Sequence, residues 1–508
     1  MKDGNSSNVT VGYWVWQVIA GLVLGGMAIL SLPLIYGDLG GDRGALNWFT
    51  VFLGVFVTGS IFWWLLITRP QQVTPRRGMF ASLLAALTAF PLVYFVMFVL
   101  LREVPLVLSD GGVGDHLLYV VLISFLSLIF GGWFTVILAA LTGAVLGLLQ
   151  QRLLALTQRG AAPVVAAQTG RAKDAFRQRP LLTAGAALLA LLAVVILGAG
   201  TWVWFAPLNF GGLTHPPAPF TDYDEAVAEI QAMQAQEQAE TVNPLCESKV
   251  MGHGARTQRV VVFVHGFTNC PEQFEVLGQQ FYDAGYNVFI PRMPHHGLSD
   301  RLTTELSKLS TEALVAFGGD VVDIAQGLGD EVTVVGLSGG GAVTAWLAQT
   351  RSDVDTAAVI APMLGILKLP EYTVKPVANA TITLPNFFIW WDAEAKDQRG
   401  GPAYAYPRYA TKAVGALMRL SAFTERLAAT DAPAARRIIA ITNEIDPAVN
   451  NAVLRDVVGQ WQAHGAEIEA YEFPGDLQLP HDVIDPNQVD QQIDLVYPVL
   501  LELITAER

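Results

Sequence analysis

Residues 332–348 read VTVVGLSGGGAVTAWLA: an apolar β-branched run, a glycine-rich turn and a helix-forming stretch. The turn matches the pattern G-x-S-x-G at Gly336, Ser338 and Gly340. In such a turn the serine lies between a strand and a helix, and the glycines allow the close backbone approach that exposes its Oγ. Ser338 is therefore the candidate nucleophile, and the alternative is a structural glycine-rich turn.

Short β-branched runs alternate with helical stretches on both sides of this turn. The predicted strands are residues 260–264, 287–290, 332–335, 357–360, 438–441 and 468–473. Continuous apolar strands separated by helices indicate a parallel sheet that is covered on both faces. No glycine-rich dinucleotide fingerprint follows the first strand, and the sequence shows no long repeat. The C-terminal half is therefore predicted to be an α/β domain.

A base and an acid for Ser338 are expected on loops that follow later strands. Serine is a weak nucleophile, so it needs a general base that an acid orients. In this architecture the order along the chain is Ser, then Asp or Glu, then His. Asp446 and His481 follow the predicted strands at 438–441 and 468–473 in that order. The three residues form a candidate catalytic triad.

Two of these assignments have alternatives. Asp446 precedes Pro447 and could instead cap a helix, and His481 could be a solvated loop histidine. Glu444 is the substitute acid if Asp446 points away. Asp482 is given no role, because side chains that are adjacent in sequence diverge.

An acyl-transfer site also requires hydrogen-bond donors for the developing oxyanion. The backbone N–H of Gly339, directly after the candidate nucleophile, is one donor. The other is the N–H of Phe267, in the loop after the first strand. His265 in the same loop is expected to brace it rather than to act as a base.

Residues from about 245 to 508 resemble the α/β-hydrolase superfamily, in particular its monoacylglycerol lipase, carboxylesterase and lysophospholipase-like group, also called serine aminopeptidase-like. The resemblance is carried by VFVHGFT at 262–268, PRMPHHGLS at 291–299, and Ser338, Asp446 and His481. It implies hydrolysis of carboxylic esters without a cofactor or a metal. His295 departs from the family, which usually has glycine there, and this departure concerns only the local turn.

The same resemblance implies a cap over the site, inserted before the acid-bearing strand at about residues 363–429. This stretch is rich in aromatic side chains. The candidates for an apolar substrate pocket are Phe387, Phe388, Trp390 and Trp391. These side chains could equally form the small core of the cap itself.

The N-terminal part of the chain has the composition of a membrane region. The chain is 52% hydrophobic and only 15% charged, with a mean hydropathy of +0.40, so a wholly soluble protein is not expected. Uncharged apolar runs of spanning length lie at about 13–36, 46–67, 80–101, 116–149 and 181–206. Glycines such as Gly143 and Gly147 either line helix contacts or only reflect membrane composition.

The charges beside these runs predict the topology. Lys and Arg accumulate in cytoplasmic loops, and the segments at about 69–77 and 152–179 are basic. Both lie inside only if the run at 116–149 crosses once, rather than turning back at Gly131-Gly132. This gives five spans and places residues 207–508 on the non-cytoplasmic side of the plasma membrane.

Charge restricts the partners. Residues 1–206 carry 12 Lys and Arg against 7 Asp and Glu, and residues 207–508 carry 19 against 38, so the formal charges are +5 and −19. So acidic a C-terminal part disfavours nucleic-acid binding. The expected partners are the lipid bilayer and a small-molecule or lipid ester.

The predicted organisation has three parts: a transmembrane region at 1–206, a linker at 207–244, and the catalytic domain at 245–508. A short helix from about Asp222 to Glu240 is expected within the linker, packed on its own domain rather than on the bilayer. Cys246 and Cys270 both fall on the side where disulfides persist, so we expect them to pair. The alternative is one buried and one surface thiol.

The predicted fold is thus an α-helical membrane region of about five spans followed by an α/β-hydrolase domain. The predicted function is that of a membrane-anchored serine hydrolase acting through an acyl-enzyme. Tethering near a bilayer and an aromatic cap favour lipid-like acyl esters over peptides. The alternatives are a catalytically idle module of a membrane assembly, and an amidase or thioesterase that uses the same triad.

Overall fold

A computed structural model describes residues 4–31, 44–95, 124, 133–157, 198–366, 369–392, 395–398 and 400–506. The chain divides into two compact units, Met1–Ala206 and Pro207–Arg508. Two predicted membrane features fall outside the described residues, namely most of the last apolar run and residues 116–132 apart from Ser124. Whether the run at 116–149 crosses once or twice therefore stays a prediction.

The described part of the N-terminal unit is helical. Its helices are α1 (Gly4–Ser31), α2 (Gly44–Trp63, continued by a π-helical turn at Trp64–Thr68), α3 (Pro75–Phe95) and α4 (Trp133–Thr157). Three segments in the described residues are long and apolar enough to cross a membrane: Thr50–Thr68, Pro75–Val93 and Thr135–Leu154. The apolar helix at Tyr13–Ala28 is shorter. These helices are candidate spans by length and composition, and the total of five stays a prediction.

Helices α3 and α4 approach each other closely through glycine. A Cβ atom on Gly143 would lie 2.2 Å from the carbonyl oxygen of Gly78, and one on Gly147 would lie 2.8 Å from that of Thr74. Such close approach through small residues is typical of helix pairs in membranes. Gly143 and Gly147 therefore line a helix contact.

The C-terminal unit is built on a seven-stranded sheet in the order β1-β3-β2-β4-β5-β8-β9. The strands are β1 (Lys249–Met251), β2 (Thr257–Val264), β3 (Asn287–Ile290), β4 (Gly329–Leu337), β5 (Thr356–Ile360), β8 (Arg437–Asn443) and β9 (Ile468–Phe473). Only the edge strand β1 is antiparallel among these described strands. The predicted α/β domain with a mostly parallel sheet is confirmed. The short strand β1 was not predicted.

Helices cover both faces of this sheet, and an insertion separates β5 from β8. The helices are α5 (Tyr223–Ala239), α6 (Glu275–Asp283), α7 (Thr311–Leu328), α8 (Gly339–Thr350), α9 (Val374–Thr383), α10 (Thr411–Ala428), α11 (Asn451–Ala463) and α12 (Ile493–Thr505). The insertion contains α9, α10 and an antiparallel hairpin of β6 (Phe388–Trp390) and β7 (Arg408–Ala410). It occupies the stretch for which a cap was predicted.

Helix α5 of the predicted linker is packed within the C-terminal unit. Its N-cap is Asp222, whose side chain accepts a hydrogen bond from the N–H of Glu225 at 3.0 Å. Near its other end, the buried carboxylate of Glu237 lies 3.2 Å from the Nε of Arg292 and accepts from the N–H of Ser248 at 2.7 Å. These buried polar contacts fix α5 to the loop that follows β3.

Candidate active site

Ser338 occupies the turn between β4, which ends at Leu337, and α8, which begins at Gly339. Its φ of 55° and ψ of −114° are a strained conformation for a residue with a side chain, at a cost of about 1–3 kcal/mol. The N–H of Ser338 donates to the carbonyl of Ile360 at 3.0 Å, and its carbonyl accepts from the N–H of Met363 at 2.8 Å. These bonds hold the strained turn in place.

The two glycines of the pattern are required by close packing. A Cβ atom on Gly340 would lie 2.0 Å from the carbonyl oxygen of Val264, and one on Gly336 would lie 2.3 Å from the carbonyl oxygen of Gly340. No side chain fits at these distances. The G-x-S-x-G spacing is therefore required by the close packing of β4 and α8 against β2.

Asp446 and His481 form a hydrogen-bonded pair at the carboxyl edge of the parallel strands, the same edge that carries the Ser338 turn. The Nδ1 of His481 lies 2.8 Å and 3.0 Å from the two carboxylate oxygens of Asp446. The same carboxylate accepts from the N–H groups of Ala448 at 2.8 Å and Val449 at 3.0 Å, and its side chain is only 1% exposed. Asp446 thus closes a turn and orients His481, whereas the helix that follows, α11, is capped by Asn450 and not by Asp446.

Electrostatic contacts within the pair shift the pKa of both groups. Burial alone would lower the pKa of His481, but the charge and hydrogen bond of Asp446, with the charge of Asp482, raise it above the ordinary value. Burial alone would raise the pKa of Asp446, but the charge and hydrogen bond of His481 and two backbone N–H groups hold it below the ordinary value. Asp446 is therefore a carboxylate at neutral pH, and His481 is a stronger base than free imidazole.

Neither Ser338 nor Glu444 bonds to His481 in the part of the chain that the structure describes. The carboxylate of Glu444 instead accepts from the N–H of Gly475 at 2.7 Å. Nucleophile–base hydrogen bonds are often long in the absence of substrate, so the missing Ser338 contact does not exclude the triad. The contact with His481 distinguishes Asp446 from the substitute acid.

The two predicted oxyanion donors lie side by side. A Cβ atom on Gly339 would be 3.0 Å from the backbone nitrogen of Phe267. Within the described residues the N–H of Phe267 bonds to no protein acceptor, and the first N–H groups of a helix, such as that of Gly339, have no partner in the helix. Both donors are therefore free for a developing oxyanion.

His265 is tied into the loop and is not free to act as a base. Its Nε2 accepts from the N–H of Met293 at 3.0 Å, and its Nδ1 lies 2.9 Å from the carbonyl oxygen of Gly266. Burial, together with the charge of His296, lowers its pKa well below the ordinary value. It is thus a neutral ring that braces the loop.

The predicted cap aromatics divide between two environments. The guanidinium carbon of Arg408 lies 4.6 Å from the ring centroid of Phe388 and 5.8 Å from that of Trp390. Trp391 lies just after β6, and its ring centroid is 6.3 Å from that of Phe267. Side chains that are adjacent along an extended segment point to opposite faces, which separates Trp390 from Trp391.

The remaining candidate, Phe387, lies at the start of the hairpin, where a backbone hydrogen bond holds it. Its N–H donates to the Oγ1 of Thr411 at 2.9 Å. The structure therefore brings Trp391 to the oxyanion loop, while Phe388 and Trp390 pack under Arg408. Sequence grouped all four side chains because it could not assign hairpin faces.

Residues 261–485 match the model of the alpha/beta hydrolase family. The match begins within β2 and includes every triad and oxyanion candidate. The matched region is an α/β-hydrolase domain. The resemblance found in the sequence is therefore confirmed.

Known relatives of the hydrolase domain include lipases. A thermostable monoacylglycerol lipase from Bacillus sp. (strain H-257) is 31% identical over 128 residues, which are 22% of this chain and 48% of that lipase. The chain thus spans about half the length of this curated relative.

Two solved structures resemble the domain in fold. One, described with the metagenome-derived lipolytic enzymes LipS and LipT, is 20% identical, with a TM-score of 0.40, over 52% of this chain and 98% of that chain. The monoacylglycerol lipase of Paleococcus ferrophilus is 15% identical, with a TM-score of 0.39, over 51% and 97%. At identities this low, the likeness says nothing about the reaction.

A buried acidic pair joins two loops of the hydrolase site. Asp482 accepts from the side-chain amides of Asn269 at 3.1 Å and Gln273 at 2.7 Å. Asp485 accepts from Asn269 at 3.1 Å and from the hydroxyl of Tyr404 at 2.8 Å, and burial together with the charge of Asp482 raises its pKa. Asp482 thus anchors the histidine loop to the oxyanion loop, a role that sequence reasoning missed because its partners are over 200 positions away.

The two cysteines form the predicted disulfide. Cys246 and Cys270 are bonded, with their Cα atoms 5.2 Å apart, and both are fully buried. They pack with Val242, Tyr404 and Leu298. A closed loop of this size contributes on the order of 3 kcal/mol by restricting the unfolded chain. The bond also ties the start of the catalytic domain to the oxyanion loop.

The backbone conformation at His295, in the loop after β3, shows why glycine suits this position. Its φ is 65°, in the left-handed region that glycine adopts without a Cβ penalty. A residue with a Cβ adopts it at a cost of about 1–2 kcal/mol. A glycine at this position in related enzymes therefore has a conformational reason.

One set of side chains in the described residues could supply metal ligands. Potential ligand atoms of His215, Asp320 and Asp323 lie within 4.8 Å of one another. The Nε2 of His215 contacts Asp320 at 3.1 Å, and Asp323 accepts from the buried guanidinium of Arg351 at 2.6 Å. Because that guanidinium already compensates Asp323, a second cation is disfavoured there, and we assign these contacts to anchoring His215 on α7.

Proposed function

We propose that the protein is a membrane-anchored serine hydrolase that cleaves lipid-like carboxylic esters through an acyl-enzyme. The observation that carries this proposal is the Asp446–His481 pair at the same sheet edge as a serine in a strained strand-to-helix turn. The lipase among its relatives supports an ester substrate. The same three roles recur wherever a serine is activated for acyl transfer.

In the first half of the proposed reaction, the Oγ of Ser338 bonds to the ester carbonyl carbon. His481 takes the hydroxyl proton at Nε2, and the carbonyl oxygen becomes an oxyanion that accepts from the N–H groups of Phe267 and Gly339. The C–O bond of the ester then breaks, and the alcohol leaves with the proton from His481. The product on the enzyme is an acyl ester of Ser338.

In the second half, a water molecule gives a proton to His481 and attacks the acyl carbon. The tetrahedral intermediate collapses, the carboxylic acid leaves, and the proton returns from His481 to Ser338. Asp446 stays a carboxylate throughout and stabilises the imidazolium that forms in both halves. Each step uses only groups of this chain, the ester and water.

Support for membrane anchoring comes from the N-terminal unit. Large apolar side chains on its described helices face outward: Trp14 is 50% exposed and Leu141 is 59% exposed. A surface of this kind is stable next to lipid and unfavourable in water. A bilayer anchor would hold the site near acyl esters of membrane lipids.

The first experiment is labelling of the detergent-solubilised chain with a fluorophosphonate probe, which reacts with activated serines. We expect labelling of the wild type and of Ser352→Ala, an exposed serine that serves as the matched control, and none of Ser338→Ala. A screen of glycerol esters of increasing acyl length would then define the substrate. A folded wild type that neither labels nor cleaves esters would favour the idle module, and cleavage of amides or thioesters alone would change the substrate class.

The second experiment locates the hydrolase domain. We propose that it lies on the non-cytoplasmic side of the plasma membrane, where the disulfide between Cys246 and Cys270 would persist. A C-terminal alkaline phosphatase fusion should be active and a C-terminal green fluorescent protein fusion dark. The opposite pair of results would contradict the five-span topology.

A further inference from the structure

Thr268, the residue after the oxyanion donor Phe267, has an unfavourable backbone conformation. Its φ is 68°, in the left-handed region. This conformation is rare for a β-branched residue, because the Cβ substituents clash with the backbone. Such a residue keeps it only when surrounding contacts hold it there. The contacts of Thr268 therefore bear on the geometry of the oxyanion hole.

Two residues of the inserted segment bind both acceptor groups of Thr268. The Nε1–H of Trp391 donates to the Thr268 Oγ1 at 2.9 Å, and the N–H of Tyr406 donates to the Thr268 carbonyl at 2.8 Å. We call this pair of bonds the Thr268 clasp. Thr268 is only 6% exposed, so little water competes for either acceptor.

The donors of the clasp are themselves fixed. The ring of Trp391 packs against those of Phe267 and Tyr409, with centroid distances of 6.3 Å and 4.5 Å. The hydroxyl of Tyr406 accepts from the N–H of Leu298 at 2.9 Å and lies 3.2 Å from the carbonyl of His295. Each donor thus has a contact outside the oxyanion loop: Trp391 with Tyr409, and Tyr406 with the loop after β3.

We propose that Trp391 and Tyr406 are positioning residues of the oxyanion hole, because their bonds to Thr268 keep the loop in the conformation that presents the Phe267 N–H. This inference rests on the proposed function and adds residues to it from the inserted segment. The Phe267 N–H belongs to the Gly266–Phe267 peptide unit, which is separated from Thr268 only by the Cα and carbonyl of Phe267, so a displacement of the Thr268 backbone is passed along the chain to the donor. A displacement of about 1 Å at a catalytic group can cost about a hundredfold in rate.

The inference also changes the role of the inserted segment. A cap that only covers the substrate can open fully between turnovers. Residues 391 and 406 cannot leave without releasing Thr268, so this part of the segment stays on the oxyanion loop during turnover. Any opening takes place elsewhere in the insertion.

The test uses the full chain in detergent and four variants. Thr268→Val keeps the β-branched shape and removes the acceptor Oγ1, whereas Thr268→Ser keeps the acceptor and is the matched control. Trp391→Phe keeps an aromatic ring and removes the N–H, and the double variant Thr268→Val with Trp391→Phe tests coupling. Thermal unfolding by circular dichroism establishes that each variant is folded.

We expect Thr268→Val and Trp391→Phe each to lower kcat about tenfold, the size expected for one lost hydrogen bond, with KM within about twofold. Affinity for a trifluoromethyl ketone, which forms a tetrahedral adduct, should fall in proportion to kcat. The double variant should be no worse than the single ones, because both remove the same bond. Thr268→Ser should resemble the wild type.

Three results would overturn the assignment: a raised KM with kcat unchanged, additive losses in the double variant, or equal losses in Thr268→Ser and Thr268→Val. The first would make Trp391 a substrate-binding residue instead. A folded wild type without ester turnover would contradict the proposed function and the clasp together. An active wild type with unaffected variants would contradict the clasp alone.

Discussion

Many large apolar side chains on the described helices of the N-terminal unit face outward, whereas most of those in the C-terminal unit lie inside. Trp14 and Leu141 are at least half exposed on the described helices, and Ala20 and Ala81 are buried. In the catalytic domain, by contrast, Trp346 and Phe263 are among the largest fully buried side chains. The described N-terminal helices therefore combine a buried cluster around Trp63 with an exposed apolar surface that the catalytic domain does not match.

The difference between the units shows that the solvent, water or lipid, determines which side-chain contacts stabilise a fold. In water, burial of apolar area drives folding, so the large side chains form the core. In lipid that drive is absent, and helices associate through close contacts between small residues. The Gly78–Gly143 contact is of the kind that lipid surroundings favour, and the seven-stranded sheet with its apolar core is of the kind that water favours. This contrast supports the proposed membrane anchor.

The largest expected loss of activity comes from breaking the Asp446–His481 pair of the catalytic domain. Asp446→Asn should lower kcat about 10⁴-fold with the fold intact, because the histidine loses the group that sets its tautomer and stabilises its charge. Ester turnover and circular dichroism measure the two quantities. If Glu444→Gln caused this loss and Asp446→Asn did not, the acid would be misassigned.

The next prediction tests close packing in the catalytic domain. Gly340→Ala should lower kcat at least about a hundredfold, because its Cβ would lie 2.0 Å from a carbonyl oxygen and displace the turn that carries Ser338. Gly459→Ala is the matched control, since a Cβ atom there meets nothing within 4 Å. Steady-state turnover of the two variants is the measurement, and equal activities would contradict the packing argument.

The corresponding change in the N-terminal unit should leave activity alone. Gly143→Ala places a Cβ 2.2 Å from the carbonyl of Gly78 and should destabilise the helix pair by about 1–3 kcal/mol. Gly26→Ala, with nothing within 4 Å, is the control. We expect a lower thermal midpoint in detergent and unchanged ester turnover before heating. A loss of turnover would show that the two units depend on each other.

The pH dependence of ester hydrolysis should report the protonation of His481 in the catalytic domain. His481 accepts a proton only when neutral, so kcat/KM should fall about tenfold per pH unit below its pKa. Because that pKa is raised, the midpoint should lie above the value of about 6.5 for an ordinary histidine. A pH–rate profile measures it. A midpoint at or below the ordinary value would contradict the influence of Asp446.

The smallest effect concerns backbone strain near the site. His295→Gly should remove a left-handed penalty of about 1–2 kcal/mol, offset by up to about 1 kcal/mol of added unfolded-state entropy, for a net gain below about 1 kcal/mol. His464→Gly, at a φ of −89°, has no such penalty to remove and should destabilise the chain. Denaturant unfolding of both variants measures whether the free energy of unfolding rises or falls in each.

The catalytic fold was predictable where the signal was local. The strands were visible as apolar runs, and Gly336, Ser338 and Gly340 marked the turn because their spacing is a packing requirement. The positions of Asp446 and His481 followed from the order of strands. The membrane helices were suggested by composition alone, which gives their length and leaves their number a prediction.

Long-range partners could not be predicted. Asp482 was set aside because it is adjacent to His481 in sequence, yet its amide partners are in the oxyanion loop. The separation of Trp391 from Phe388 and Trp390 depends on the register of a three-residue hairpin. Such short strands carry no periodic signal, so only the structure distinguishes the face against Arg408 from the face against Phe267.

Both cysteines of the sequence lie in the disulfide between Cys246 and Cys270, so the oxidised chain presents no thiol of its own. Any cysteine introduced elsewhere would then be the single reactive thiol of the molecule. Placed at outward positions such as Trp14 and Leu141, it would report contact with water or lipid through its alkylation rate. The natural protein is thus already a clean background for mapping its own surroundings, one position at a time.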